Sequence, residues 1–576
     1  MKKLSSTVES ADQARQQAGI PVAYVVQLGV SGGADDMNDP LLFERSAKPF
    51  FSQDSTKQCL VTLAQASDVV LYCGAGVTID RTGLGWKELI SLGLRADTED
   101  DSSYVTDEHL AVLNKSLDAQ RLASVLRQHF TLKHPSVEDD QRHEIIGNLQ
   151  RELYRRHTWR GGRLVGNIAR YAVFSASVGK QVSIVTTNYD TYIEQEIDKE
   201  LKRWSNNKKP RPGFQVETAG SSRPARKVKP SDPGLPIIRL IYLHGRIPPE
   251  GRALGRVVLD EVDYAETRPV TVDVLTRLLD HSRCASIVVG ASLTDPPLID
   301  ALALTRRRKQ RFALMAIAST DVAGNSAADV PVLLEHLAGR CTRIGLSLLT
   351  PDFKTQIAQF FEEATICAGL ADPQTYPAVS YGQRLGSWWD DWVAASGNAS
   401  YIIDTYAELR EFTNNLRQDW KLPSETVEDA ELFKVELWVR WYPTQRRSLA
   451  LWGSSLGLLA PRNLLREAKL VLESAQASAK CFTEGRPQYV NLSDVQPPKD
   501  QRSDRPYPAR WRSFLSVPIY LEAPQRRQVV GIATLASSKT KDESAIRAKD
   551  TQQMETLVKN LRTLGTGVLN PLPRSD

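Results

Sequence analysis

Five short apolar runs of strand length are spaced along the first two thirds of the chain: Val69–Cys73, Val182–Thr186, Ile237–Leu243, Ser286–Val289 and Phe312–Ile317. Helix-like segments alternate with them, so residues 60–370 read as repeated βαβ units around a parallel sheet. Residues 202–235 interrupt that order. They hold Lys208-Lys209-Pro210-Arg211-Pro212 and Arg223–Pro230 with almost no apolar content, and are expected to be a solvated basic loop insertion. Beyond a linker at 371–394 the pattern changes. Leu432–Tyr442, Leu449–Ser454, Gly485–Val490, Phe514–Tyr520 and Val529–Ser537 read as strands of an antiparallel sheet, with helices over Asn463–Glu484 and from about Asp550 to Leu564. This predicts an α/β domain over 55–370 followed by an α+β domain over 395–570. An N-terminal extension, 1–54, precedes both. It has a polar helical stretch, an apolar run Val22–Leu28 that would suit an added strand, and a loop around Asp35–Asp39.

Composition narrows the picture. A chain of 576 residues is too long for one hydrophobic core. A net charge of +5 on that length is weak evidence for a nucleic-acid partner, and none is expected. No apolar stretch approaches the ~20 residues of a membrane span, and the two N-terminal lysines have no apolar core behind them, so no signal peptide is expected. The six cysteines are dispersed, with no C-x-x-C pair. Buried thiols in a reducing cytoplasm are expected, and a four-cysteine zinc site is excluded.

The chemistry gathers where the apolar runs end. Val69–Cys73 leads into Gly74-Ala75-Gly76-Val77-Thr78, where two glycines permit a tight turn and close backbone approach to a phosphate, and a following helix would aim its positive end there. Thr78 would add a hydroxyl. Val182–Thr186 leads into Thr187-Asn188-Tyr189-Asp190, a polar cluster where α/β sheets bind ligands; alternatively Asn188 caps a helix starting at Asp190. Ile237–Leu243 ends at His244-Gly245, and a neutral imidazole there would serve as a base near pH 7. Ser286–Val289 ends at Gly290-Ala291-Ser292-Leu293-Thr294-Asp295-Pro296, in which Asp295 and Pro296 suit the start of a helix. Arg306–Lys309 at that helix's end suits its dipole.

These four motifs in this order resemble the SIR2 (sirtuin-like) family over roughly residues 55–370, in particular its zinc-free bacterial branch that consumes NAD+ as a defence effector. Gly83-Leu84-Gly85-Trp86 is similar to the family's Gly-Leu-Pro-x-Trp segment without its proline, and Val258–Tyr264 resembles another family segment. The resemblance implies a Rossmann-like fold with NAD+ as substrate and no metal. It implies catalytic roles for Asn188, which orients the attacking water, and His244, which accepts a proton. Contacts to the dinucleotide would come from Gly74, Ala75, Gly76, Val77, Thr78, Thr187, Asp190, Gly290 and Ser292. The C-terminal strands, with Ser516-Val517-Pro518-Ile519 and Val529–Ser537, are similar to GAF domains, which sense small molecules such as cyclic nucleotides and often dimerise. Trp438, Trp441, Trp452 and Trp511 there would line a pocket or fill the core. The resemblance thus implies a cytoplasmic, homo-oligomeric NAD+ hydrolase, releasing nicotinamide and ADP-ribose in antiviral defence under control of the second domain. Alternatives are ADP-ribosyl transfer or deacylation on a macromolecule, and non-catalytic nucleotide binding.

Overall fold

The computed structural model describes residues 49–95, 106–133, 138–155, 158–207, 209–221, 223–281, 284–305, 310–317, 330–379, 381–396, 399–427, 429–440, 448–456, 467–470, 476–492, 511–521, 528–547 and 549–570. The expectations for Val22–Leu28, Asp35–Asp39, Arg306–Lys309 and Trp441 lie outside these residues. Strands β1 Asp68–Cys73, β2 Gln181–Thr186, β3 Gly213–Thr218, β4 Arg226–Val228, β5 Ile237–Tyr242, β6 Cys284–Val289, β7 Arg311–Leu314 and β8 Ser347–Leu349 form one sheet. Their order is β4-β3-β5-β2-β1-β6-β7-β8, and every neighbouring pair is parallel except β3 with β4. The chain builds outward from β1 on one side, then returns to its other side with β6. At such a reversal the loops leave toward opposite faces and a crevice opens.

Both faces of this sheet are covered, which is why its strands carry apolar residues at successive positions. Val69, Leu71 and Cys73 of β1 pack among the helices Asp54–Gln65, Leu164–Ser177, Tyr192–Asn206 and Thr355–Ala368. Val70 and Tyr72 face a second cluster with the helices Glu261–Leu279, Pro296–Leu304 and Val330–Arg343. Four helices between β1 and β2, Trp86–Arg95, Asp107–Ser116, Ala119–Lys133 and Glu138–Arg155, make a third apolar cluster that includes Tyr189, Ile247, Val257 and Leu259 from beyond β2 and β5.

Three expectations need correction. Residues 202–235 are not a loop: they complete the Tyr192–Asn206 helix and supply β3 and β4. Phe214 and Val216 are buried while Gln215 and Glu217 are half-buried, a period-two pattern concealed by the basic residues around it. Those basic residues are partly anchored, since Arg226 bonds Asp198 at 2.5 Å. Residues 371–394 are not a bare linker, because the helix Tyr381–Ser396 buries Trp388, Trp389 and Trp392 in the C-terminal core. Among the described residues of the Asn463–Glu484 stretch, Ala477–Glu484 is helical and Glu467–Lys469 forms a strand. Ala468 and Leu470 are buried between exposed Glu467 and Lys469, so an open sheet edge captures the segment as a strand.

The second sheet is antiparallel throughout. It comprises β9 Phe433–Arg440, β10 Ser448–Ser454, β11 Glu467–Lys469, β12 Gln488–Asn491, β13 Ser513–Tyr520 and β14 Val529–Ser537, in the order β11-β10-β9-β14-β13-β12. Phe433, Val435, Leu437 and Val439 alternate onto the face covered by the helices Tyr381–Ser396, Ala399–Asp419 and Thr551–Leu569. The tryptophans weighed as pocket residues serve packing: Trp438 is buried, Trp452 meets Trp392 at 5.0 Å, and Trp511 lies under Lys434. The two units are packed together. Trp159, before the Leu164–Ser177 helix, is buried in the C-terminal core, and Phe482 meets Phe353 edge-on at 6.2 Å.

Candidate functional site

The four motifs begin at one level of the first sheet. Cys73 pairs with Thr186 on one side and Val289 on the other, and Thr186 pairs with Tyr242. Gly74, Thr187, Leu243 and Gly290 are therefore the first residues past a single register line. Asn188 and His244 each stand two residues beyond paired positions of adjacent strands.

Motifs one and four interlock. Gly74 donates its N–H to the Val289 carbonyl at 2.9 Å, and Gly76 donates to the Gly290 carbonyl at 2.8 Å. A Cβ on Gly74 would lie 2.5 Å from the Gly290 oxygen. Gly290 has φ +65°, and a Cβ there would lie 2.5 Å from the Val77 nitrogen. These glycines thus serve loop-against-loop packing. Val77 is buried in the core, whereas Ala75 and Ser292 are exposed. The helix expected after Thr78 is only the four residues Ile79–Thr82, preceded by a turn at Ala75–Val77 and ended by Gly83 in the left-handed region. So short a helix has little dipole to offer an anion.

Motif two is tied to Thr78. Asn188 Nδ2 donates to Thr78 Oγ1 at 3.0 Å, and Thr78 Oγ1 donates to Asp190 Oδ2 at 2.8 Å. The other Asp190 oxygen accepts the N–H of Tyr192 at 3.1 Å. The following helix starts at Tyr192 with Thr191 at its cap, so Asn188 is not a helix cap. Thr187 is half-buried beside Tyr72. His244 packs edge-on against Tyr264, with ring centroids 4.9 Å apart and the Tyr264 hydroxyl 3.5 Å from Nδ1. Gly245 turns the chain at φ +87°. Tyr72 donates to Asp295 Oδ2 at 2.8 Å, while Asp295 caps the Pro296–Leu304 helix with Pro296 at its first turn. Tyr72 and Tyr264 escaped the sequence reading. Tyr264 sits in a segment whose resemblance was noted, and Tyr72 is indistinguishable in sequence from a core strand residue.

Asn188 is 6% exposed and His244 2%, so both are closed off from solvent. A cleft of about 300 Å³ opens beside the interlocked loops. Gly76 and Gly290 line it, but Gly74, Ala75, Val77, Thr78, Thr187, Asn188, Asp190, His244 and Ser292 do not. All six cysteines are buried and unpaired. Among the described residues no group of three or more His, Cys, Asp or Glu could hold a metal, and no helix is long and apolar enough to cross a membrane.

Burial sets the protonation states. It raises Asp190 from 3.8 to about 6, against the hydrogen bonds from Thr78 and Tyr192, and it lowers His244 from 6.5 to about 4. The folded protein holds the Asp190 proton longer than the unfolded chain does, so this group's contribution falls as pH rises from 4 to 6. The folded protein refuses the His244 proton, so that contribution is present above pH 6.5 and is lost as pH falls toward 4. The two slopes oppose each other. His244→Gln should therefore lose stability relative to the parent as pH rises from 4 to 6.5, by up to about 3 kcal/mol. Asp190→Asn should gain relative to the parent between pH 4 and 6. Thermal unfolding across that range checks both signs, and flat differences would show that these groups titrate alike in the folded and unfolded chains.

The family model of the SIR2-like domain matches residues 182–336, which hold motifs two, three and four. Over that stretch the chain is similar to SIR2-like domains. No curated protein matches. Among solved structures, one titled "Structural Basis for the Mechanism and Regulation of Sir2 Enzymes" is 12% identical, covering 55% of this chain and 98% of that one with a TM-score of 0.24. The free methionine-R-sulfoxide reductase of Neisseria meningitidis, in complex with its substrate, is 15% identical over 29% of this chain and 81% of that one, with a TM-score of 0.18. Reduced fRMsr of Staphylococcus aureus is 17% identical over 23% and 70%, with a TM-score of 0.16.

Proposed function

We propose that the sheet-edge site hydrolyses NAD+ to nicotinamide and ADP-ribose. The observation that carries this reading is the common register line, from which Asn188 and His244 each stand two residues beyond the ends of adjacent strands, with motifs one and four interlocked at the same edge. The reacting centre is the anomeric carbon of the nicotinamide ribose. Its bond to the pyridinium nitrogen breaks, nicotinamide leaves neutral with the bonding pair, and a water oxygen forms the new bond. The Thr78 bond fixes the Asn188 amide nitrogen, leaving its carbonyl oxygen to orient that water. His244, kept neutral by burial, takes the water's proton. A base of low pKa suffices because attack on an electron-poor anomeric carbon makes the water acidic. Asp190 has both oxygens occupied within the protein and is a positioning residue.

The burial of Asn188 and His244 supports a resting form with low activity. In our reading a trigger opens the edge, since a ligand or assembly that favours an open state shifts the population toward it. The C-terminal unit, as a GAF-like sensor of a small molecule such as a cyclic nucleotide or as an oligomerisation module, is the proposed regulator. NAD+ depletion in the cytoplasm as an antiviral defence is the proposed role.

Incubating the protein with NAD+ and a strong chelator tests the reaction. Nicotinamide and free ADP-ribose should appear in equal amounts with the chelator present. ADP-ribose attached to protein would point to transfer instead. Nicotinamide release that stops on chelation and returns with added metal would overturn the metal-free mechanism.

A further inference from the structure

The cleft beside the interlocked loops is walled by both units. Gly76 and Gly290 form one side, and Glu484, Gly485, Arg486 and Tyr520 of the C-terminal unit face them. Gly485 turns at φ +66° and fits against Thr355, with no room for a Cβ, so the C-terminal chain is seated closely on the first unit. Tyr520 donates its hydroxyl to the Gly485 carbonyl at 2.9 Å and offers its ring face to Arg163, whose guanidinium carbon stands 3.4 Å from the ring centroid.

The polar groups in this cleft are incompletely paired. Arg163 Nη1 is buried without a hydrogen-bond partner, and so is Asp80 Oδ1. Asp80 also accepts the N–H groups of Gly162 and Leu164 at the start of the Leu164–Ser177 helix. Arg486 donates Nε to Glu484 at 2.8 Å, and its Nη1 makes only a long 3.4 Å bond to the Ile79 carbonyl. Exposed Lys354 stands at the start of the Thr355–Ala368 helix without a side-chain cap bond. An orphaned buried donor and acceptor in one cavity are costly unless a ligand satisfies them. Three cations suit phosphate oxygens. The unpaired carboxylate oxygen of Asp80 suits a sugar hydroxyl, and Leu314, Met315 and Ile357 give an apolar wall suited to a base. At about 300 Å³ the cleft suits half of a dinucleotide rather than the whole.

We infer that the cleft takes the adenosine diphosphate half of NAD+ and that Arg486, supplied by the C-terminal unit, contacts its phosphates, so that the nucleotide site is incomplete without that unit. This rests on the NAD+ reading above. It gives the C-terminal unit a direct hold on substrate affinity, because any shift of that unit moves Arg486 and releases Arg163 from Tyr520.

The test uses the full-length chain and binding as well as turnover. ADP and ADP-ribose are titrated by calorimetry against the parent, Arg486→Gln and Arg486→Lys, with thermal unfolding recorded for each. Arg486→Gln should weaken both ligands by about 10- to 100-fold, the effect of losing a charge-assisted bond, and Arg486→Lys should recover part of it. KM for NAD+ should rise with kcat unchanged, and inhibition by free nicotinamide should not move. A parent that binds neither ligand, or an Arg486→Gln protein that binds both as tightly as the parent, overturns the inference. Nicotinamide release from a protein whose Arg486→Gln variant binds normally would sink this inference and leave the hydrolase reading standing. Loss of ADP binding in the variant of a protein that never releases nicotinamide would do the reverse.

Discussion

Asn188→Ala and His244→Ala should each lower nicotinamide release by about 10²–10⁴-fold, the span associated with positioned acid–base and orienting groups. The fold should survive both. Asn188→Ala removes one donor from Thr78, whose own bond to Asp190 persists, at a cost of about 1 kcal/mol. His244→Ala opens a small void beside Tyr264, so His244→Gln is the companion that keeps the volume filled. Steady-state nicotinamide release, measured beside circular dichroism and thermal unfolding, separates chemistry from stability. Parent-like rates from both alanine variants would remove these residues from the reaction. Lost activity together with lost folding in all the variants would make their role structural.

Gly290→Val should be the most destabilising single change near the site. A branched side chain would have to adopt φ +65°, and its Cβ would fall 2.5 Å from the Val77 nitrogen and 2.8 Å from the Gly76 carbonyl carbon. Left-handed strain and the collision together should cost about 3–5 kcal/mol. That corresponds to a fall on the order of 10 °C in the first unfolding transition. The same change would prise apart motifs one and four, so nicotinamide release should vanish as well. A transition within a degree or two of the parent would mean that the two loops separate without penalty.

Leu293, in motif four, also has positive φ, at 58°, although it is buried and not glycine. Its carbonyl accepts from Arg340 Nη2 at 2.9 Å, which helps to hold the strained turn beside Ser292. Nothing in the Gly-x-Ser-Leu-x-Asp-Pro pattern announces that strain. It arises because Leu293 must fill the cluster around Leu298 and Leu302 while the loop stays locked against Gly76. Asp295 was legible as a helix cap because the cap and the proline after it are local features. The hairpin of β3 and β4 was not, since two buried residues, Phe214 and Val216, are too few to stand out among lysines and arginines.

The sequence by itself determined the strands that end in the four motifs, the identity of the polar residues at those ends, and the change to an antiparallel pattern near residue 430. These follow from side-chain periodicity and turn chemistry within short windows, which act before any long-range contact forms. Only the tertiary structure decided that the motif glycines pack on each other, that Thr78 joins Asn188 to Asp190, and that Asn188 and His244 are sealed from solvent. Only it brought Arg486 and Tyr520 to the cleft beside Gly76 and Gly290. Those facts depend on which surfaces meet across a hundred to several hundred residues of chain, and no local pattern encodes the partner on the far side of a contact.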